Sequence, residues 1–195
     1  MKKSLLLVLL GAVLTIGAAA QQITRVVVNN QDPKTGLHTL LTSSTIVRTG
    51  LTDRHPLRVS VMASERRAGW EYTIYVELAD LVSRAIPEGA ALLLRTKSGE
   101  VFELANILTE YESKDIVGVW IEGTASKTYY NKAAYTVTEE QLETISEGVV
   151  KIRFQTSSGS FDTEYKKDKL GAAIAEQLHV LREAIAQSSD IRSGF

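Results

Sequence analysis

The stretch Leu57-Arg58-Val59-Ser60-Val61-Met62-Ala63 alternates apolar and polar side chains, and this pattern decides the fold class. Successive side chains of a strand point to opposite faces, so its apolar members share one face that packs on a core. The same alternation, rich in Val, Ile, Tyr and Thr, recurs through most of the chain. Predicted strands begin near Ile23, Leu37, Leu57, Trp70, Ala90, Glu100, Ile116, Tyr129, Val149 and Ser160.

Three short connections between predicted strands end in glycine: Arg67-Ala68-Gly69, Lys97-Ser98-Gly99 and Ser157-Ser158-Gly159. Glycine adopts the positive φ that tight hairpin turns require, so consecutive strands are expected to pair antiparallel. The sequence therefore predicts a mainly β (α+β) fold, either an antiparallel β-sandwich or an open barrel.

Two helices are predicted in the second half of the chain. The longer runs from about 169 to 187, because Leu170, Ile174, Leu178, Leu181 and Ile185 form one apolar stripe at helical spacing. Asp168 is placed to cap its first turn. The shorter runs from Glu139 to Glu147, since Thr138 and Gln141 have the spacing of a capping box. We expect the longer, C-terminal helix to pack on the sheet.

Two segments of the chain share an order of turn motifs. Ile86-Pro87-Glu88-Gly89 precedes Thr96-Lys97-Ser98-Gly99, and Ile145-Ser146-Glu147-Gly148 precedes Thr156-Ser157-Ser158-Gly159. One interpretation is an internal repeat of a unit made of strand, short helical turn, strand, hairpin and strand. The alternative is independent use of common turn chemistry, because Glu-Gly and Ser-Gly pairs recur at strand ends.

The first twenty residues have the pattern of a cleavable secretory signal peptide. Lys2 and Lys3 form a positive start, residues 5–16 are apolar, and Ala18 and Ala20 are small residues at the cleavage positions. Cleavage after Ala20 leaves a mature chain that is expected to be periplasmic or secreted. The alternative is an uncleaved membrane anchor, which needs about 20 consecutive apolar residues.

The remainder is predicted to be a single β-rich domain over residues 21–188 with a flexible tail over 189–195. The chain contains no cysteine. This composition argues against disulfides, thiolate metal sites and a lipid anchor on a processed amino terminus. We therefore expect a domain that is stabilised by its hydrophobic core and has no membrane span after signal cleavage.

The charge balance argues against nucleic acid as a partner. The chain has 22 basic and 23 acidic side chains, and removal of Lys2 and Lys3 leaves 20 against 23, a net charge of −3. Its basic clusters are short and lie beside turn signals, whereas nucleic-acid binding needs a basic face with many phosphate contacts.

No catalytic, metal or cofactor motif is evident. The histidines His38, His55 and His179 are not at metal-ligand spacing, and Asp53 and His55 share a loop of ordinary turn composition. Motifs for a serine nucleophile elbow, a phosphate loop and a calcium loop are absent. A glycosidase needs only two carboxylates, and four strand carboxylates are of the required kind: Glu77, Glu103, Glu110 and Glu122.

Aromatic side chains supply the candidate ligand-binding residues. Trp70 is in phase with apolar residues of its strand and is expected in the core. Trp120 lies on the more polar face of its strand, where it is either covered by the helix or exposed as a binding platform. The tyrosines Tyr129, Tyr130 and Tyr135 are predicted to extend such a surface.

The last third of the chain combines a tyrosine strand from Tyr129, the motifs T-x-E-E-Q-L and I-x-E-G, the strand 149–156, and E-Y-K-K-D-K-L-G before a long helix. This pattern resembles uncharacterised exported β-rich proteins of Bacteroidetes-type bacteria, and residues 70–104 match it more loosely. The resemblance implies a periplasmic or secreted β-rich domain with a terminal helix. It implies no activity and no catalytic residue.

These observations favour a non-enzymatic exported module that binds a ligand or assembles with a partner in the cell envelope. A second hypothesis is an envelope hydrolase acting on a glycan or ester, which predicts a cleft where several carboxylates converge. A third is a structural subunit that uses an exposed sheet edge to pair with a partner strand.

Overall fold

The alternating stretch at Leu57 forms a central strand of the larger of two antiparallel sheets. The computed structural model describes residues 24–47, 57–80, 85–108, 114–121, 124–165 and 167–193. The predicted signal peptide and the predicted strand start at Ile23 lie outside these residues. Within them the strands are β1 Val26–Gln31, β2 His38–Thr42, β3 Thr45–Val47, β4 Leu57–Arg66, β5 Gly69–Asp80, β6 Ala91–Thr96, β7 Val101–Ala105, β8 Lys114–Ile121, β9 Thr124–Val137, β10 Val149–Thr156 and β11 Gly159–Glu164. The helices are α1 Glu139–Glu147 and α2 Leu170–Ser193.

The larger sheet has the strand order β1-β2-β4-β5-β9-β8, and β3 pairs with β4 beyond the end of β2. The smaller sheet has the order β11-β10-β6-β7. Every neighbouring pair is antiparallel, as the glycine-containing turns predicted. An isolated bridge between Asn106 and Tyr135 joins β7 of the smaller sheet to β9 of the larger one. The mainly β fold with two open sheets is therefore confirmed.

The core lies between the inner faces of the two sheets and α2. The larger sheet supplies the alternating apolar residues of β4 and β5, and the smaller sheet supplies those of β6 and β10. Two residues of α2, Leu170 and Ile174, meet side chains of both sheets. The side chains that line this meeting point are Leu57, Val59, Ile74, Val76, Leu92, Leu94, Ile152 and Phe154.

Helix α1 has the predicted bounds and the predicted capping box. The N–H of Gln141 donates to Thr138 Oγ1 at 3.1 Å, and the N–H of Thr138 donates to Gln141 Oε1 at 3.0 Å. The helix ends at Gly148, whose φ of +146° favours glycine. Arg182 of α2 forms ion pairs with Glu139 and Glu143, which join the two helices.

Helix α2 packs on the core face of the larger sheet and extends to Ser193, beyond the predicted end at 187. The Gly171 N–H donates to Asp168 Oδ1 at 2.8 Å, in agreement with the predicted cap. The predicted apolar stripe faces the core, with Ile185 only half-buried. Gln177 is buried within the same stripe, although its polar side chain gave no indication of burial.

The two segments with matching turn motifs occupy corresponding places in the sheets. Each begins in a central strand of the larger sheet, β5 or β9, and ends in a hairpin of the smaller sheet, β6–β7 or β10–β11. The strands β5 and β9 pair with each other, as do β6 and β10. The arrangement is consistent with an internal repeat, which stays a prediction because no comparison tests it.

Candidate functional site

The predicted aromatic surface is not assembled as a single patch. Tyr135 is 0% exposed and belongs to the core, so it does not extend an exposed surface. Its position follows from the alternation of β9, where it is in phase with the buried Ala133 and Val137. Burial raises the pKa of the Tyr135 phenol, and no described residue forms a hydrogen bond with its hydroxyl.

The other predicted ligand-binding residues lie on two paired strands. Tyr129 pairs with Asp115 of β8, and Trp120 lies five positions further along β8, about 17 Å away at the usual rise of a strand. The structure therefore separates Trp120 from the tyrosines. Tyr129 and Tyr130 are both half-buried and point to opposite faces of the sheet.

Those of the predicted acid, base and metal candidates that the structure describes do not converge. His179 is exposed on α2 beside Glu183, and Glu103 is exposed on β7. His38 lies at the start of β2, where its backbone N–H donates to Glu65. Among the described residues, no three His, Cys, Asp or Glu side chains could hold a metal ion together. Four candidates lie outside the described residues: Asp53, His55, Glu110 and Glu122.

A depression lies on the face of the larger sheet that points away from the core. We call it the outer groove. Its volume is about 360 Å³. It is lined by Leu41, Ser44, Arg58, Ser60, Tyr75, Val76, Glu77, Leu108, Lys132 and Ala133.

One side of the outer groove is a row of charged side chains across three strands. The register places Arg58 opposite Glu77, and Glu77 opposite Lys132. Arg58 Nη1 lies 3.2 Å from Glu77 Oε1, and the Arg58 guanidinium lies 5.4 Å from the centre of the Tyr130 ring. Opposite charges on neighbouring strands and a cation over a ring both stabilise this row. Tyr130, one of the predicted ligand-binding residues, thus lies beside Arg58 at the border of the outer groove.

The floor of the outer groove is formed by the next row along the same strands, in which small side chains predominate. Ser60 lies opposite Tyr75, and Tyr75 lies opposite Ala134. The Tyr75 hydroxyl contacts Met62 Sδ at 3.8 Å, which directs the ring away from the charged row. The short side chains of Ser60 and Ala134 therefore leave an open space. The longer side chains of the charged row lie along one border of that space.

Leu108 forms the opposite wall because Asn106 holds the segment after β7 against β9. Asn106 is 2% exposed. Its Nδ2 donates to the carbonyls of Ile86 and Pro87 at 2.9 and 3.1 Å. Its Oδ1 accepts from the N–H groups of Leu108 and Ala134 at 3.1 and 3.0 Å. All four hydrogen-bonding positions of the amide are thus used, which fixes the wall in place.

Sequence reasoning missed the outer groove and the role of Asn106. The alternation did place Arg58, Ser60 and Met62 together on the face away from the core. It could not show that β9 completes that face, because β9 pairs with β5 although the two strands are distant in sequence. A single asparagine after a strand also reads as ordinary turn composition.

The described lining of the outer groove offers few groups for acid–base or nucleophilic chemistry. Among its described lining residues there is one carboxylate, Glu77, and it lies between two cationic side chains. A glycosidase uses two carboxylates, and the described lining of the groove supplies one. No described serine of the groove lies beside a histidine, so the pairing that activates a serine nucleophile is not formed there.

Comparison with protein-family models, curated proteins and solved structures finds no match to this chain. None of the helices in the described ranges has the length and apolar character needed to cross a bilayer.

Proposed function

We propose that this chain is an exported, non-enzymatic binding module of a bacterial cell envelope and that the outer groove holds its ligand. The observation that carries the proposal is a depression that combines a charged row, hydroxyl groups and apolar walls. Small-molecule sites commonly have volumes of about 300–1,000 Å³ and combine apolar walls with a few convergent polar groups. The outer groove, at about 360 Å³, lies at the lower end of that range.

The side chains of the outer groove indicate the chemistry of the ligand. Arg58 and Lys132 provide two positive charges against the single negative charge of Glu77, so the groove favours a ligand with an acidic group. Ser60 offers a hydroxyl to further polar groups, and Leu108 offers an apolar wall. The ligand class is a small molecule with a carboxylate or phosphate together with hydroxyl or amide groups, such as an acidic sugar or a short peptide.

The hydrolase alternative is less well supported by the described residues. It predicts a cleft where several carboxylates converge, and the outer groove presents only Glu77. Glu103 lies on β7 of the smaller sheet and is not among the described residues that line the outer groove. A binding role needs no such pair.

A thermal-shift screen tests the ligand proposal, because a ligand that binds only the folded state raises its Tm. The screen uses acidic sugars, short peptides with a free carboxylate and sugar phosphates, with neutral analogues of each. The Ser60→Trp variant fills the floor of the groove, and Thr136→Trp places the same ring at an exposed position of the same face. We expect a shift with an acidic compound that Ser60→Trp abolishes and Thr136→Trp keeps.

The charge argument has its own variant. Lys132→Gln keeps the length of the side chain and removes one positive charge. We expect it to weaken binding of the acidic compound about tenfold and to leave binding of its neutral analogue unchanged, because one charge-assisted hydrogen bond contributes about 1.5 kcal/mol. A shift that survives Ser60→Trp places the ligand elsewhere, and no shift across the panel contradicts the proposed ligand class.

The proposal of export rests on the sequence pattern of residues 1–20 and on the resemblance to exported proteins. Intact-mass spectrometry of the protein recovered from a bacterial periplasm tests it. The expected mass is that of a chain beginning at Gln21. Recovery of the full-length mass from the cytoplasm contradicts export.

A further inference from the structure

β1 is an exposed edge strand without charged residues. Its sequence is VVVNNQ, and among the described residues it pairs only with β2. Val27 and Val28 are 50% and 39% exposed although both are apolar. An exposed apolar edge presents backbone N–H and C=O groups that can pair with another strand.

Of the other described edge strands, β3 is uncharged but only three residues long, and the remaining three carry the charges that usually prevent such pairing. β11 contains Asp162 and Glu164, β7 contains Glu103, and β8 begins with Lys114 and Asp115. Charged side chains on an edge disfavour the approach of a second strand. β1 lacks this protection along its whole length.

The hydrogen bonds of β1 show which of its backbone groups point away from β2. The Arg25 carbonyl accepts from the Ser43 N–H at 2.7 Å, and the Asp32 N–H donates to the Leu37 carbonyl at 2.9 Å. The backbone groups of successive residues alternate in direction along a strand. Val27 is the extra residue of a bulge, so it is left out when this alternation is followed along β1. Three residues therefore direct their backbone groups to the open edge: Val26, Asn29 and Gln31.

A strand that pairs antiparallel with its own copy must bring outward-pointing groups of both strands together. When a twofold axis lies at Asn29 and the bulge residue Val27 is left out of the count, Val26 lies opposite Gln31 of the second copy. The outward-pointing backbone groups of the two strands then face each other along the whole of β1. The same register places Arg25 opposite Asp32 of the second copy on both sides of the axis. The uncharged strand is thus bracketed by two opposite-charge pairs, one at each end.

We propose that two copies of this chain associate through β1, antiparallel about a twofold axis at Asn29, and join their larger sheets into one. The charges at the two ends select this register, because Arg25 and Asp32 are both exposed and lie at matching distances from the axis. The Asp32 carboxylate is ionised, since the N–H groups of Lys34 and Thr35 donate to it and lower its pKa.

The size of the contact sets its strength. A single pair of six-residue strands makes an interface at the small end of the known range, below about 1,200 Å² in total, which is typical of weak association. We therefore expect a monomer–dimer equilibrium in the micromolar range or weaker. Sedimentation equilibrium measures it on the protein expressed from its full-length sequence and purified in the form that the host cell produces.

A single cysteine tests the position of the axis, because the chain has no cysteine of its own. In the proposed dimer the two Asn29 residues form a hydrogen-bonded pair with Cα atoms about 5.5 Å apart, within the range of a disulfide. The two Gln31 residues lie about 13 Å apart, four strand positions from each other. We expect Asn29→Cys to form a covalent dimer at least tenfold faster than Gln31→Cys under mild oxidation. Equal rates overturn the proposed register.

Charge reversal tests the two end pairs. The Arg25→Glu variant places a glutamate opposite Asp32 at both ends of the interface. We expect this repulsion to raise the dissociation constant of the dimer about tenfold. Adding Asp32→Lys restores opposite charges and is expected to recover association to within about threefold of the original chain. A chain that stays monomeric at millimolar concentration, or an Arg25→Glu variant that associates normally, overturns the proposal. Thermal denaturation of each variant verifies that the hairpin turn at Asp32 has not unfolded the domain.

Discussion

Truncation of Gln177 to alanine should destabilise the domain more than any other polar substitution on α2. The side chain is 0% exposed in the middle of the buried stripe. Its Nε2 donates to the carbonyl of Val59 at 2.9 Å and to Thr45 Oγ1 at 3.1 Å. Gln177 thereby attaches the C-terminal helix to β3 and β4, which lie more than a hundred residues earlier in the chain.

The magnitude follows from the two lost hydrogen bonds and the space left behind. Each buried hydrogen bond contributes about 1 kcal/mol net, and shortening a buried side chain to alanine adds about 1–2 kcal/mol for the void. The free energy of unfolding should fall by about 3–4 kcal/mol. For a domain of this size that corresponds to a fall in Tm of about 10 °C.

Urea denaturation followed by circular dichroism measures the effect. Glu176→Ala is the matched control, because it is the neighbouring residue on the exposed face and should change stability by less than about 0.5 kcal/mol. Gln177→Met keeps the volume and removes the hydrogen bonds, so it should fall between the two. A loss below about 1 kcal/mol for Gln177→Ala would refute the role assigned to these hydrogen bonds.

Two further predictions concern a glycine and a buried tyrosine. Gly148→Ala should destabilise the domain by at least about 2 kcal/mol in urea denaturation, because its φ is +146° and an added Cβ meets Lys97 and Asp168. Gly89→Ala, at a φ of +76° with open space around it, should have the smaller effect, and equal losses would contradict this account. Burial raises the pKa of Tyr135, so its stabilising effect is present below the unfolded pKa of 10.0 and is lost as the pH rises above it. As the pH rises from 9 to 11, the Tyr135→Phe variant should therefore lose less stability in thermal denaturation than the original chain does. Identical pH profiles of the two proteins would show that this phenol is accessible.

The sequence alone predicted the secondary structure well where local patterns are strong. The alternation of β4 placed Leu57, Val59 and Val61 on the core side correctly, because side-chain direction on a strand depends only on its own backbone. The capping box of α1 was also predicted to the residue, since both partners lie within one turn. In each case the residues that interact are close in sequence.

The prediction of an exposed aromatic surface was wrong for Tyr135, even though the local signal was present. Tyr135 alternates in phase with Ala133 and Val137, which indicates a buried face. Its tyrosine neighbours Tyr129 and Tyr130 suggested a cluster, but adjacent residues of a strand point to opposite sides. Proximity in sequence was therefore a poor guide to proximity on the surface.

By itself, the sequence determined most of the strands but not the short β3, and it determined both helices, the antiparallel turns and the apolar faces, because these depend on residues a few positions apart. Only the tertiary structure decided that β9 pairs with β5, which adds Lys132 to the row of Arg58 and Glu77. It also decided that Asn106 fixes the wall of the outer groove and that Gln177 is buried. The physical reason is the same in all three cases: the partners are distant in sequence, and their hydrogen bonds and charge contacts exist only once the sheets have formed.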